Sequence, residues 1–262
     1  MDLATGGRLV TKNSSDIDAQ SLLAQIASKY DHAKPAPRDG KTKKSCEVPT
    51  DIKLHSVPGH WRWVPLGSIV TYNESEKVAS ENIPNEAWVL DLEDIEKDSS
   101  RLLQRVTYQS RLSKSTKSRF QKSDVLYGKL RPYLNKVIVA AEPGFSTTEI
   151  VPIRCLLGIV PDYVKYVLKS PYFSKYVNAI TYGVKMPRLG IADALRAPFP
   201  LPPTNEQHRI VAKVDQLMEL CNELEHIEEL LSKTRAKLSN SYTKWVLCEH
   251  LALSQLARAS NG

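Results

Sequence analysis

The sequence predicts an α+β protein in which a globular domain is followed by a long C-terminal coiled-coil helix, with a short helix and a linker ahead of the domain. Short apolar runs of strand type alternate with helical spacing between residues 57 and 203. An apolar residue then recurs at every seventh position from Ile210 to Trp245, the spacing of a helix that winds on a partner. We therefore expect three parts, at residues 1–56, 57–203 and 204–255.

The first part is expected to hold a disordered start, a short helix and a linker. Residues 1–14 are small and polar, which favours disorder. Ser15 can cap a helix that runs to Tyr30, because apolar residues follow at helical spacing. Prolines, a glycine and a lysine cluster between residues 31 and 57 predict the linker.

The second part mixes strand and helix patterns. Trp61 and Trp63 stand two residues apart, which is typical of an extended segment with one buried face. Three further stretches predict strands, at residues 87–90, 124–127 and 136–141. Residues 161–180 have helical spacing that Ser170 and Pro171 interrupt, which predicts one or two helices.

The third part is predicted to be one rigid helix. The prolines between residues 198 and 203 exclude a helix there, so the helix starts at Thr204 or Asn205, with Glu206 and Gln207 as first-turn acceptors. We expect it to associate with a second helix, rather than only to cover a core, through the heptad line Ile210, Leu217, Leu224, Leu231, Leu238 and Trp245 together with Val214. A neighbouring line through Val214, Cys221, Glu228, Arg235 and Tyr242 becomes charged, which indicates a register-setting patch or a surface for another subunit. At ~1.5 Å per residue the line from Ile210 to Trp245 spans roughly 50 Å, or roughly 15 base pairs.

Composition excludes several classes of protein. No apolar run approaches the ~20 residues of a membrane span, and no signal peptide is visible. The four cysteines are far apart, so we expect neither zinc nor disulfides, and a cytoplasmic location. Glycine-rich phosphate loops, histidines at metal-ligand spacing and a nuclease-type acid-x-Lys after Asp162 are absent. These absences favour a binding protein with no catalytic residues, metal or cofactor of its own.

A concentrated basic stretch predicts contact with a polyanion. Residues 101–136 carry ten basic side chains against Asp124 alone, whereas residues 74–98 carry nine acids against Lys77 and Lys97. The serines and threonines between residues 111 and 122 suit a loop that binds phosphates, although a solvated or disordered basic loop is the alternative. The candidate DNA-binding residues are Arg111, Lys114, Lys117, Arg119, Lys122, Lys129, Arg131, Lys136, Lys185 and Arg188. For Lys129 and Arg131 an internal structural role is the competing interpretation, and we expect Met186 and Leu189 to pack inward.

Four stretches resemble one known family. LPPTNEQHRIVAKVDQLMELCNELE at residues 201–225 is similar to the spacer helix of specificity (S) subunits of type I restriction–modification systems. DVLYGKLRPYLNK at 124–136 and GVKMPRL at 183–189 resemble that family's target recognition domain, and WRWVPLG at 61–67 resembles the domain's entry strand. The four occur in the family's order.

The resemblance implies a DNA-reading, non-catalytic subunit. S subunits read an interrupted site with two recognition domains, and recruit methyltransferase (M) subunits, which bind S-adenosylmethionine, and a cleaving restriction (R) subunit. This chain has one recognition domain and one spacer helix, so we expect either a half-size S subunit or a piece of a longer one, acting as a homodimer or paired with a second S half. A homodimer would read a palindromic, interrupted target. The alternatives are a coiled-coil scaffold whose basic surface is incidental, and a nuclease or methyltransferase that acts alone.

Overall fold

A computed structural model describes residues 1–13, 16–30, 54–180 and 186–259, with side chains to residue 244. The chain divides into two compact units, Met1–Lys213 and Val214–Gly262. Ser15, Lys185 and most of the predicted linker lie outside the described residues. The predicted α+β class is confirmed, because the first unit combines three β-sheets with short helices and a long helix follows.

Eleven short strands are described in the first unit. They are β1 (Arg62–Pro65), β2 (Val70–Tyr72), β3 (Lys77–Val78), β4 (Trp88–Leu90), β5 (Val106–Thr107), β6 (Lys117–Phe120), β7 (Val125–Gly128), β8 (Val137–Val139), β9 (Gly144–Thr147), β10 (Ile150–Cys155) and β11 (Pro198–Leu201). The sheets have the orders β1-β11, β2-β10-β7-β8 and β3-β6-β9-β4-β5. All pairs are antiparallel except β4 with β9. The three predicted strands correspond to β4, β7 and β8, and the entry segment to β1.

The main core lies where the five-stranded and four-stranded sheets share apolar side chains. Phe120 and Leu90 from the larger sheet cluster with Leu126 and Ile150 from the other, and all four are fully buried. Alternate residues of the larger sheet point to its second face, because successive side chains of a strand point in opposite directions. There Val89 packs with side chains from the intervening loops in a smaller cluster. Loops therefore cover the second face of this sheet.

Five of the helices belong wholly to the first unit: α1 (Asp2–Thr5), α2 (Ala19–Tyr30), α3 (Pro161–Leu168), α4 (Pro171–Ile180) and α5 (Ile191–Arg196). The predicted break in residues 161–180 is confirmed. Ser170 causes it together with Pro171: its hydroxyl donates to the Val167 carbonyl and accepts from the Phe173 amide, so it ends α3 and caps α4. Helix α3 packs on β7 and β8.

The expectation that residues 1–14 are disordered is wrong for the part that the structure describes. Residues 2–5 form α1, where Ala4 and Thr5 are buried, and the Thr5 carbonyl lies 3.1 Å from Nε2 of His55. Helix α2 starts at Ala19, and Asp18 accepts a hydrogen bond from the Ser21 amide at 2.8 Å. Short polar sequences can order when distant residues satisfy their backbone groups, and the sequence pattern does not show those partners.

The start of the long helix α6 (Thr204–Ala259) differs from the expectation as well. The proline-rich stretch is extended, as predicted, and forms β11. Thr204 donates to the Gly158 carbonyl at 2.8 Å, and Gln207 accepts from the Val160 amide at 2.8 Å. These polar residues thus bind the preceding loop, whereas we expected them to cap their own helix. Gly158 adopts φ 74°, a conformation that favours glycine.

Charged pairs complete this junction. Glu206 is 1% exposed and lies 2.8 Å from Nε2 of His60. Arg209 donates to both carboxylate oxygens of Asp16, at 2.6 and 3.0 Å. The hydrogen bond from Arg209 lowers the pKa of Asp16. The N-terminal segment is therefore an integral part of the first unit.

In the second unit, the predicted heptad line is largely exposed. Ile210, the first member of the line, lies in the first unit and is buried, as is Val214 of the neighbouring line, whereas Leu217, Leu224, Leu231 and Leu238 are 41–65% exposed. Leu220 and Ile227 are also about half exposed, each three residues after a member of the line. The apolar side chains thus alternate at spacings of three and four, as in a coiled-coil face. The charged line through Cys221 and Glu228 lies beside this face.

Candidate nucleic-acid interface

Part of the basic stretch is paired with the acidic stretch that precedes it. Arg111 donates to both carboxylate oxygens of Asp94, at 2.5 and 2.8 Å, and Asp94 is fully buried. Lys117 lies 3.3 Å from Asp91, and its side chain is 4% exposed. These pairs tie the loop before β6 to the turn after β4. The two oppositely charged stretches therefore neutralise each other at this end of the five-stranded sheet. We call the four paired residues the acid-paired region (Asp91, Asp94, Arg111, Lys117).

The charged groups of the acid-paired region are bound to one another and are not available to a ligand. Burial acts to raise the pKa of Asp94, but hydrogen bonds from Arg111, the Asp91 amide and Gln104 outweigh it, so the pKa lies below its ordinary value. Lys117 is buried against a carboxylate, so its ammonium group has no free approach for a phosphate. The burial of Lys117 does not fit the phosphate contact that the sequence predicted. Because Lys117 and Arg111 are both paired with carboxylates, neither is among the DNA contacts proposed below.

The other candidates of the basic stretch differ in their surroundings. Arg119 forms an exposed pair with Glu76 at 3.2 Å. Lys114 and Lys122 are exposed, and Lys122 lies in the turn before β7, at the opposite end of that strand from Lys129. Lys136 donates to the Leu92 carbonyl at 2.8 Å. The basic residues therefore do not form one continuous surface.

Two of the stretches that carry the family resemblance meet in space. The Leu189 amide donates to the Lys129 carbonyl at 3.0 Å, and the Arg131 amide donates to the Pro187 carbonyl at 2.8 Å. The Lys129 amide donates to the carbonyl of Glu149, which directly precedes β10, also at 3.0 Å. We call this the joined loops (residues 129–131 and 187–189 with Glu149). More than fifty positions separate the two loops in sequence, so only the fold brings them together.

Arg131 is presented by an unusual backbone. It adopts φ 49° and ψ 60°, the left-handed region, directly before a 3₁₀ turn over Pro132–Leu134. Residues other than glycine pay roughly 1–2 kcal/mol for this conformation. Pro132 is buried below it, while the Arg131 side chain is exposed. Strained residues of this kind cluster at functional sites, which makes Arg131 a strong candidate for ligand contact.

Arg188 is held by a carboxylate rather than left free. Its guanidinium donates to both oxygens of Glu149, at 3.0 and 3.2 Å, and this bond raises the pKa of Arg188. The pair is half exposed on the arginine side. Leu189 is buried, as expected, whereas Met186 is 51% exposed, so the expectation that Met186 packs inward is wrong.

Lys77 is a further cation near the joined loops, and it was not among the DNA-binding residues predicted from the sequence. Its ammonium group donates to the Ser118 hydroxyl at 2.6 Å and to the Asn73 side-chain oxygen at 3.2 Å. Burial and the charge of Lys129 lower its pKa. Lys77 lies inside the acidic stretch, so charge along the sequence does not single it out. Only the pairing of edge strand β3 with β6 shows that Lys77 lies opposite Ser118.

Within the described ranges, no three His, Cys, Asp or Glu side chains form a group that could hold a metal ion. None of the described helices is both long and apolar enough to cross a membrane.

Comparison with known proteins identifies the domain. Residues 61–232, about two thirds of the chain, match the family model of the type I restriction modification DNA specificity domain. The specificity subunit of the type I restriction enzyme EcoAI from Escherichia coli is 26% identical over 236 residues, which cover 86% of this chain and 39% of that protein. The EcoDI specificity subunit from the same organism is 26% identical over 211 residues, covering 76% and 43%. The chain thus spans about two fifths of the length of these curated relatives.

Solved structures agree on the fold. The HsdS subunit from Thermoanaerobacter tengcongensis superposes with a TM-score of 0.57 at 24% identity, over 66% of this chain and 46% of that one. A chain from a study of complex assembly and conformational transition of the type I R-M system gives 0.56 at 23% identity, with the same coverages. The chain therefore belongs to the type I restriction modification DNA specificity domain family.

Proposed function

We propose that this chain reads one half of an interrupted double-stranded DNA target, and that the joined loops form part of the surface that meets the DNA. The observation that carries the proposal is the family match, which includes both loops. Exposed Arg131, half-exposed Arg188 and the ammonium groups of Lys129 and Lys77 give this surface positive charge, which duplex DNA attracts. Lys185 belongs to the same sequence stretch and lies outside the described residues.

We propose that the chain is not itself catalytic and acts through partners. Methyltransferase subunits, which bind S-adenosylmethionine, would modify the target, and a restriction subunit would cleave unmodified DNA. This division of labour is supported by the similar proteins from Escherichia coli, which are specificity subunits of type I restriction enzymes. We also propose a cytoplasmic location, where the chain would meet the DNA that it reads.

We further propose that the chain pairs through the exposed apolar face of α6, with a second copy or another S half. Leu217, Leu220, Leu224, Ile227 and Leu231 form this face at spacings of three and four residues. Burying such side chains contributes roughly 25 cal/mol per Å² of apolar surface. The charged residues beside the face can fix register. Two copies related by a two-fold axis would read a palindromic, interrupted sequence.

The test is to express the chain with the methyltransferase subunit of its own system, and to map methylated bases across the host genome by single-molecule sequencing. We expect methylation at one interrupted sequence only when both proteins are present, and a palindromic sequence for the homodimer. An asymmetric sequence would indicate a second S half. Methylation or cleavage of DNA by the purified chain alone would contradict the proposal.

The pairing is tested in the same assay with Leu224→Asp combined with Leu231→Asp. We expect light scattering to give the mass of one chain instead of two, and the methylation pattern to disappear. Asn222→Asp combined with His226→Asp is the control, because these residues lie roughly 160° away around the helix at 100° per residue. An unchanged mass for the leucine variant would exclude this face as the pairing surface.

A further inference from the structure

We propose that Lys77 and Lys129 together hold one phosphate of the DNA backbone, at the edge of the five-stranded sheet beside the joined loops. This inference rests on the proposed function, since it names the part of the DNA that this surface binds. It assigns a role to a lysine that lies in an acidic stretch of the sequence, with Glu74 and Glu76 before it.

Within the described residues, one N–H donor of the Lys77 ammonium group has no acceptor. An ammonium group carries three N–H donors, and two of them are directed at neutral oxygens, those of Ser118 and Asn73. Asn73 reaches this position from a left-handed backbone conformation with φ 61°. The two bonds fix the direction of the side chain without neutralising its charge. Within the described part of the chain, no carboxylate lies within 4.0 Å of the Lys77 ammonium group.

Among the described residues, Lys129 is held by hydrogen bonds of its backbone, and its side chain makes none. Its amide and carbonyl are both bonded within the joined loops. Its charge lowers the pKa of Lys77, second to burial, which agrees with the proximity that the strand registers and the joined loops give. The strand registers give the path between them: Lys77 pairs with Ser118, Ser118 with Ser146, and Glu149 follows β9 and bonds to Lys129.

The nearby carboxylates have other partners. Glu149 is engaged by Arg188 through both oxygens, and Glu76 by Arg119. Two cations held near each other repel, and a shared anion would remove that cost. A phosphate diester is the anion that a DNA-reading domain meets. The arrangement is therefore complementary to one backbone phosphate.

The experiment measures binding of the full 262-residue chain to a fluorescent duplex of mixed sequence at several salt concentrations. Each phosphate contact contributes about 0.9 to the slope of log K against log salt. We expect Lys77→Met to reduce that slope by about 0.9 and to weaken binding about fivefold at low salt, and Lys77→Arg to retain the slope. Lys12→Met, which removes an exposed lysine of the N-terminal segment, is the control for total charge. Thermal unfolding verifies that each variant is folded.

Combining Lys77→Met with Lys129→Met tests whether one phosphate is shared. For a shared phosphate, the double variant loses less affinity than the product of the two single losses. Independent losses would overturn the shared site. If the wild-type chain binds the duplex with a salt-dependent affinity but Lys77→Met behaves like Lys12→Met, this inference fails and the proposed function stands. If the wild-type chain shows no salt-dependent binding, both fail.

Discussion

The acid-paired region and the joined loops have similar numbers of cations but opposite surroundings. In the acid-paired region, Arg111 and Lys117 face buried or half-buried carboxylates. At the joined loops Arg188 is also paired, with Glu149, but Arg131 is exposed on a strained backbone, and Lys77 of the neighbouring strand β3 donates only to neutral oxygens. The same residue types therefore serve the fold in one place and present charge to solvent in the other. Charge density along a sequence does not distinguish the two.

The difference has an energetic basis. Removing one partner of a buried ion pair leaves an uncompensated charge and costs about 3–5 kcal/mol, whereas exposed charges contribute about 0–1 kcal/mol to stability. Variants in the acid-paired region should therefore change stability and leave DNA binding alone. Variants in the joined loops should weaken DNA binding and leave stability nearly unchanged.

The largest effect is expected for Arg111→Ala. Asp94 would stay buried without its guanidinium partner, so we expect the free energy of unfolding to fall by about 3 kcal/mol, measured by urea denaturation. Arg101→Ala, which breaks an exposed pair with Glu96, is the control and should cost less than about 1 kcal/mol. Equal effects of the two variants would show that the Asp94 pair does not stabilise the fold.

The Arg111–Asp94 pair should also make the stability difference between Arg111→Ala and the wild type depend on pH. Because the folded pKa of Asp94 lies below its unfolded value, its contribution is present at neutral pH and above about pH 4, and is lost as the pH falls through the folded pKa. Arg111→Ala should therefore destabilise the protein most at neutral pH, and the difference from wild type should shrink in acid.

A smaller effect of opposite sign is expected for Arg131→Gly. Glycine adopts the left-handed conformation without strain, although its greater freedom in the unfolded chain offsets part of the gain. We expect the free energy of unfolding to rise by about 0.5 kcal/mol, measured by urea denaturation, while duplex binding weakens. A clear loss of stability would mean that the Arg131 side chain serves the fold, which is the alternative that the sequence left open.

The local parts of the fold could be predicted from the sequence. Strands β4, β7 and β8 and the break between α3 and α4 follow from residue spacing and from one Ser-Pro step. The heptad line also predicted the long helix. These features depend on neighbouring residues, so one sequence contains the information.

The rest depended on contacts between distant residues. Thr204 and Gln207 bind the loop at Gly158, and the N-terminal segment is ordered by partners such as His55 and Arg209. The candidate site was predicted in part: its two loops were recognised, but the pairing of Lys117 with Asp91 and the position of Lys77 were not. Sequence spacing cannot show which carboxylate lies beside a lysine after folding.

The most direct test of the account compares two double variants with the same change in charge. Lys129→Met with Arg131→Met removes two cations of the joined loops, whereas Lys114→Met with Lys122→Met removes two exposed cations of the basic stretch elsewhere. In duplex binding at several salt concentrations, we predict that the first variant reduces the slope by about 1.8, two phosphate contacts, and that the second leaves it near the wild-type value. A second variant that reduces the slope as much as the first, or a first variant with the wild-type slope, would contradict the central claim that DNA phosphates are bound at the joined loops.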